Sequence, residues 1–306
     1  MNSSLARRDF LKTAATAPFM AAVARAGEPE TGAPIFDGKT LEGWHTIPRL
    51  YVPRDGRLDH VPSGELKEAV TRFHAESAQE NLRAKAANHG IWTVEDGAIV
   101  GKQLPDSKDG SYLMSDGTYG DFDLTLEARP DWPIDTGVMV RAHSLGTVGF
   151  QVLLDTRPEG CIGGVFGNGI GSFRAMPYLV EGDEQENFQV SNLRQSTVDR
   201  GQFIPEDSAS FEEFLAAWKL NEWNTVRIRC RGELPVIETW INGTPIVKFD
   251  SSTLANQIDN WQPEVVKERL GQKGHIAFEV HDSWNSRERW APGAACRWRN
   301  VRITEL

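Results

Sequence analysis

The chain has 306 residues, 40% of them apolar and 25% charged, which is ordinary globular composition. That length suits one large domain or two small ones. The net charge of −10 argues against partners that need a basic surface, nucleic acid and anionic lipid among them.

The first 26 residues read as a targeting segment. Arg7–Arg8 precede Phe10, Leu11 and Lys12, an apolar run from Ala14 to Val23 follows, and Ala24-Arg25-Ala26 forms an A-x-A-like cleavage site. This order is that of a twin-arginine export signal, 1–26, and the run is too short for a stable membrane anchor. The expected location is periplasmic or secreted, with export in the folded state and no integral membrane anchor. Removal of the segment takes four basic side chains and one acidic one, leaving a more acidic remainder at −13. The three cysteines, Cys161, Cys230 and Cys296, show no zinc spacing. An oxidising compartment would allow one disulfide with a thiol left over, but buried small apolar residues are the simpler reading.

A Gly/Pro linker, 27–33, leads into a region taken as one domain, 34–306, with insertions near 47–90 and 171–220. Residues 64–88 lack interior turn residues and space Leu66, Val70 and Phe73 helically, which predicts a helix. From residue 91 the pattern changes to short strands. "IWTVEDGAIVGK" is two strands around Asp96-Gly97, a hairpin signal. "DFDLTLEAR" alternates Phe122, Leu124 and Leu126 against Asp123, Thr125 and Glu127. "GVMVRAH" and "GFQVLLD" follow in the same style, while "GCIGGVFGNGIG" reads as a Gly-rich loop without the Lys-Ser/Thr of a P-loop. The segment "SFEEFLAAWK" predicts a helix with a Ser210–Glu213 capping box and Phe211, Phe214, Leu215 and Trp218 on one face. "NTVRIRCRG" and "VIETWINGTPIVKF" form further strands, the second turning at Asn242-Gly243. "GHIAFEVH" and "CRWRNVRITEL" close the chain. Many short strands with two helical stretches predict an antiparallel β-sandwich or jelly roll. A polar insertion as long as 171–220 is unusual in such a fold unless it shapes a binding site.

Alternation sorts the polar residues by face. Glu127, Arg141, Gln151, Asp155, Glu279 and His281 fall on non-core faces of four strands. If those strands share one sheet, carboxylates, an arginine and an imidazole converge, a set suited to proton transfer and to holding hydroxyls. A solvated outer face with ion pairs such as Arg141–Asp155 is the competing reading. Trp44, Trp92, Trp223, Trp240 and Trp298 sit in strand-like contexts and read as structural. Trp284 and Trp290, in the loop after His281, are the candidates to stack on a sugar ring.

The ordered set "IFDGKTLEGW", "WTVEDGAIVG", "SYLMSDGTYGDFDLTLEAR", "DTGVMVRAH", "GFQVLLD", "NEWNTVRIRCRG", "WINGTPI" and "GHIAFEVHDS…WRNVRITEL" resembles the 3-keto-disaccharide hydrolase family, from about residue 34 to 306. The resemblance implies an all-β, concanavalin-like jelly roll and a carbohydrate substrate, a 3-keto-glycoside supplied by a sugar 3-dehydrogenase. It implies abstraction of the C2 proton, elimination of the C1 oxygen and hydration. His281 or Asp155 is then the base, Arg141 the oxyanion partner, and Glu127 or Glu279 the acid or hydroxyl holder. Gln151, Glu279, Trp284 and Trp290 would contact substrate. A divalent metal on the acidic residues is an alternative to the arginine. The chain departs from the family pattern at Gln151 on the middle strand, at Asp135-Thr136 where Asn-Ser is usual, and at Glu279 where a Gln usually precedes the last-strand His. Two other readings stand beside this one: a non-catalytic carbohydrate-binding module, and an ordinary glycoside hydrolase using Glu127 with Glu279.

Overall fold

Short runs of alternating apolar residues pair into sheets wherever one face can be buried, and the computed structural model of the chain follows that rule. It describes residues 32–49, 90–106, 108–144, 146, 148–170, 173–182, 188–193, 202–256, 263–283 and 288–306. In chain order the strands are β1 (Ala33–Pro34), β2 (Trp44–Pro48), β3 (Ile91–Glu95), β4 (Ala98–Lys102), β5 (Ser111–Tyr119), β6 (Phe122–Pro130), β7 (Gly137–Ala142), β8 (Gly149–Leu154) and β9 (Ile162–Asn168). They continue with β10 (Arg174–Ala175), β11 (Tyr178–Val180), β12 (Val190–Asn192), β13 (Gln202–Phe203), β14 (Asp207–Ser208), β15 (Asn224–Arg231), β16 (Val236–Ile241), β17 (Thr244–Asp250), β18 (Gly274–Val280) and β19 (Ala295–Glu305). Helix α1 is Phe211–Ala217 and α2 is Pro263–Leu270.

Two large sheets form a jelly-roll sandwich. One runs β14-β17-β16-β15-β6-β19-β4-β3, with β1 on β19. The other runs β13-β10-β9-β8-β7-β18-β5-β2. The alternation of β6 is realised residue by residue, with Phe122, Leu124 and Leu126 fully buried. Val138, Val140, Phe150 and Val152 of the second sheet join them in one core cluster. Trp44 stacks on Phe278 at 5.2 Å and Phe278 on Trp298 at 4.8 Å, which ties the two sheets together at one end.

Local signals hold where backbone chemistry dictates them. Asp96 and Gly97 have φ of 50° and 78°, and Asn242 and Gly243 have 49° and 83°, the left-handed pair that a two-residue hairpin needs. Ser210 caps α1, accepting from the Glu213 amide at 3.2 Å while Glu213 accepts from the Ser210 amide at 2.8 Å. Leu215, expected on the apolar face of α1, is instead exposed, and Phe214 alone is fully buried there. Helix α2 has no counterpart in the sequence reading. The helix expected at 64–88 lies outside the described residues. All three cysteines are free and buried.

The Gly-rich run expected as a loop is strand β9, paired with β8 and β10. Its glycines permit close packing: a β-carbon at Gly167 would enter the Phe173 ring. Part of the long insertion extends the second sheet, since β10 and β13 add two strands beyond β9. No helix among the described residues is long and apolar enough to cross a membrane.

Candidate functional site

The outer face of the second sheet, turned away from the sandwich core, carries the polar cluster. One row of paired residues crosses it from His45 through Met114, Ala277 and Met139 to Gln151. Its centre is apolar and buried, with Met114, Met139 and Ala277 all at 0% exposure. One edge is charged. There the start of β7 meets the ends of β8 and β18, because β7 is antiparallel to both. The residues just beyond these strand ends are Asp135, Asp155 and His281.

Asp155 and Asp135 share one guanidinium. Arg157 Nη2 donates to Asp135 Oδ2 at 2.6 Å and to Asp155 Oδ2 at 2.7 Å. Arg157 Nε and its backbone N–H donate to Asp155 Oδ1, each at 3.0 Å. Arg289 Nη1 donates to Asp135 Oδ2 at 2.6 Å. Two buried carboxylates so close resist ionising together. Burial raises the pKa of Asp155 to about 7, the Asp135 charge adds to the rise, and Arg157 opposes it. Burial pushes Asp135 the same way, but His281, Arg157 and Arg289 together outweigh it and hold that carboxyl down at about 2. The surroundings therefore push the two carboxyls apart, Asp135 downward and Asp155 upward, the kind of division seen where carboxylates take different catalytic roles.

His281 lies beside this pair, 4% exposed. Its Nδ1 is 2.8 Å from the Asp282 carbonyl oxygen. A carbonyl only accepts, so Nδ1 carries a proton, and the Asp282 carboxylate lies 3.2 Å from the same nitrogen. Nε2 is 3.6 Å from Asp135 Oδ2 and 3.5 Å from Arg289 Nη1.

Glu279, one strand-repeat back on β18, is fully buried. Arg49 Nε donates to its Oε1 at 2.6 Å, and Gln151 Nε2 donates to Oε2. Arg49 also donates from Nη1 to Asp282 Oδ1 at 2.7 Å. Gly137 makes room for the Gln151 amide, since a β-carbon there would lie 2.8 Å from Gln151 Nε2.

Gln151, Asp155, Glu279 and His281 thus share one region, and three of the other expected residues do not. Glu127 is on β6, in the other sheet, where Arg299 Nε donates to it at 2.8 Å and Asn300 Nδ2 at 2.5 Å. Arg141 belongs to β7 but has φ of 51°, which breaks the alternation and turns its side chain away. Its guanidinium donates to the Gln272 carbonyl at 2.7 Å, to Asp121 at 2.9 Å and to the Gly232 carbonyl at 3.2 Å. It is a strut between turns at the opposite end of the strand. The Arg141–Asp155 ion pair of the competing surface reading does not form, since Arg141 pairs with Asp121 and Asp155 with Arg157. Trp290 is 2% exposed and donates from Nε1 to the Ala294 carbonyl at 2.9 Å, so it fills the core rather than facing a sugar. Trp284 lies outside the described residues. Among the described residues no group of three or more His, Cys, Asp or Glu side chains is disposed to hold a metal ion.

The sequence reading missed Arg49, Asp135, Arg157, Asp282 and Arg289 as parts of the site. They stand in loops or at strand ends, where alternation gives no direction. A signal existed for Arg157, two residues beyond Asp155 in "DTR".

The fold is thus a jelly-roll sandwich with a buried acid–imidazole–guanidinium cluster at one edge of its second sheet. Residues 32–304 match the model of the 3-keto-alpha-glucoside-1,2-lyase-like domain, and the chain belongs to that family. No curated protein matches the chain. Among solved structures, a Parabacteroides distasonis protein assigned by inference to the glycosyl hydrolases is 15% identical over 89% of this chain and 92% of its own, with a TM-score of 0.44. A glycosyl hydrolase family protein from Mycobacterium fortuitum is 9% identical over 87% and 94%, at a TM-score of 0.40. The carbohydrate-binding module CBM66 from Bacillus subtilis is 10% identical over 71% and 92%, at 0.39.

Proposed function

We propose that this protein cleaves 3-keto-glycosides by elimination and hydration. The ketone at C3 makes the C2 proton acidic. A base removes it, and the C2–H electron pair becomes the enolate of C3. The enolate then collapses to a C1=C2 double bond and expels the C1 glycosidic oxygen, which takes a proton. Water adds back, hydroxyl to C1 and proton to C2, so the net change is hydrolysis.

This chemistry needs a base, donors for the enolate oxygen and an acid for the leaving group. His281 Nε2 is the base, and Asp135 and Asp282 stand ready to stabilise the imidazolium. Asp155, whose pKa is raised by burial and by the Asp135 charge, is the group that supplies the leaving-group proton. Arg157 and Arg289 keep partial side-chain exposure, 20% and 17%, and are the donors for the enolate oxygen. The observation that carries the reading is the split carboxylate pair bridged by Arg157 beside His281. The two-carboxylate alternative loses support, because Glu127 and Glu279 are on different sheets and Glu279 is already held by Arg49.

The test is cleavage of a 3-keto-glucoside beside its unoxidised parent, with and without a chelator. Only the keto sugar is expected to be cleaved. Turnover should fall about 100-fold or more in His281→Ala and stay unchanged in Glu127→Gln. Cleavage of both sugars at similar rates would overturn the elimination mechanism. Binding without cleavage of either would leave a carbohydrate-binding module.

We also propose that residues 1–26 export the folded protein. An Arg7→Lys, Arg8→Lys double variant is expected to accumulate in the cytoplasm, read by fractionation. Unchanged export would remove the twin-arginine assignment.

A further inference from the structure

The row of residues on the outer face does not stop at Gln151. Phe166 of β9 pairs with Gln151, Arg174 of β10 with Phe166, and Gln202 of β13 with Arg174. Their alternates Val165 and Ala175 belong to the core, so Phe166, Arg174 and Gln202 face outward with the charged cluster. β10 and β13 come from the long insertion at 171–220.

Arg174 lies over the Phe166 ring, 5.8 Å from its centroid. Among the described residues its guanidinium has no hydrogen-bond or ion-pair partner. Burial lowers its pKa, Arg289 adds to that, and the charges of Asp135, Asp155 and Arg157 also reach it. Beside it in register, Gln202 is 7% exposed, and among the described residues its Oε1 accepts no hydrogen bond. A partly desolvated cation whose nearest carboxylates reach it only through space, and a buried acceptor without a donor, each carry a cost that complementary ligand groups in direct contact would relieve.

We propose that Arg174, Gln202 and Phe166 form a subsite for a uronate, a sugar whose carboxylate meets the guanidinium while a neighbouring hydroxyl donates to Gln202 Oε1. The Phe166 ring supplies an apolar wall for the pyranose. One guanidinium beside one neutral acceptor matches a monoanion flanked by a hydroxyl. Arg174 is two strand spacings from Gln151, about 10 Å, so the subsite takes a sugar unit next to the one at His281 and Asp155. The inference rests on the proposed function only in taking the ligand to be a sugar.

The experiment titrates glucuronate and glucose into the mature protein, its Arg174→Met and Arg174→Lys variants and Gln202→Ala, with a melting curve for each. Glucuronate is expected to bind about tenfold tighter than glucose or better. Arg174→Met should abolish that preference and Arg174→Lys should keep part of it, at unchanged melting temperature. Equal binding of the two sugars to the unaltered protein, or a preference that survives Arg174→Met, overturns the subsite. The two proposals separate cleanly. Cleavage of a keto sugar without glucuronate preference removes the subsite and leaves the reaction, and preference without cleavage does the reverse.

Discussion

Asp155→Asn is expected to lower turnover of a 3-keto-glycoside by about 100- to 10,000-fold without unfolding the protein. Asparagine keeps the shape and can still accept from Arg157, but it cannot carry a proton. Stability should move the other way, and the sign follows from linkage. The carboxyl of Asp155 is raised from 3.8 to about 7 by burial first and the Asp135 charge second. In the window between those values the folded state keeps a proton that the unfolded chain has released. Stability from this group is therefore fully present below about 4 and is lost as pH rises through 7. Asn removes the dependence, so the variant should gain on the unaltered protein as pH increases across that window. Melting temperatures of both proteins from pH 4 to pH 8 test this. Parallel curves would show that Asp155 ionises normally, and its role as the proton carrier would fall with them.

Asp135 offers the companion experiment to the same prediction. Asp135→Asn removes the second-largest cause of the Asp155 rise and frees Arg157 to neutralise Asp155 alone. The pH–rate limb assigned to Asp155 should then move to lower pH. An unmoved limb would assign it to another group.

How much of this was legible from residue order can be traced on individual strands. Period two alone sorts Gln151, Asp155, Glu279 and His281 to one face, and they do share the site, although β8 has a register irregularity between Val152 and Leu154 that alternation does not show and Leu153, expected outward, joins the core. Arg141 obeys the same pattern on paper, yet the left-handed backbone at its own position turns it away. A single dihedral is not visible in an apolar–polar string. Glu127 failed for a different reason. Its face was right, but strand order decides which sheet a face belongs to, and β6 lies between β15 and β19. Arg157, Arg289 and Arg49 are long side chains on irregular segments, and their direction is set by the carboxylates they find. Trp290 shows the reverse error, a large aromatic in a loop-like context that tertiary packing draws into the core.

The fully buried Glu279 leads to the second large effect, on stability. Arg49→Ala is expected to cost about 3–5 kcal/mol, because it strands a carboxylate with 0% exposure and also removes the Asp282 contact. Glu279→Gln alone should cost far less, since an amide needs no counter-charge and its oxygen still accepts from Arg49 or Gln151. The double variant Arg49→Ala, Glu279→Gln should recover most of the loss, and denaturant melts of all four proteins would measure it. A double variant as unstable as Arg49→Ala would trace the loss to packing instead, where the Arg49 stem lies against Gly110, whose β-carbon would sit 3.0 Å from Arg49 Cδ. In that case Glu279 and Arg49 would be neighbours rather than partners, and the buried pair would hold no special place in shaping the edge of the site.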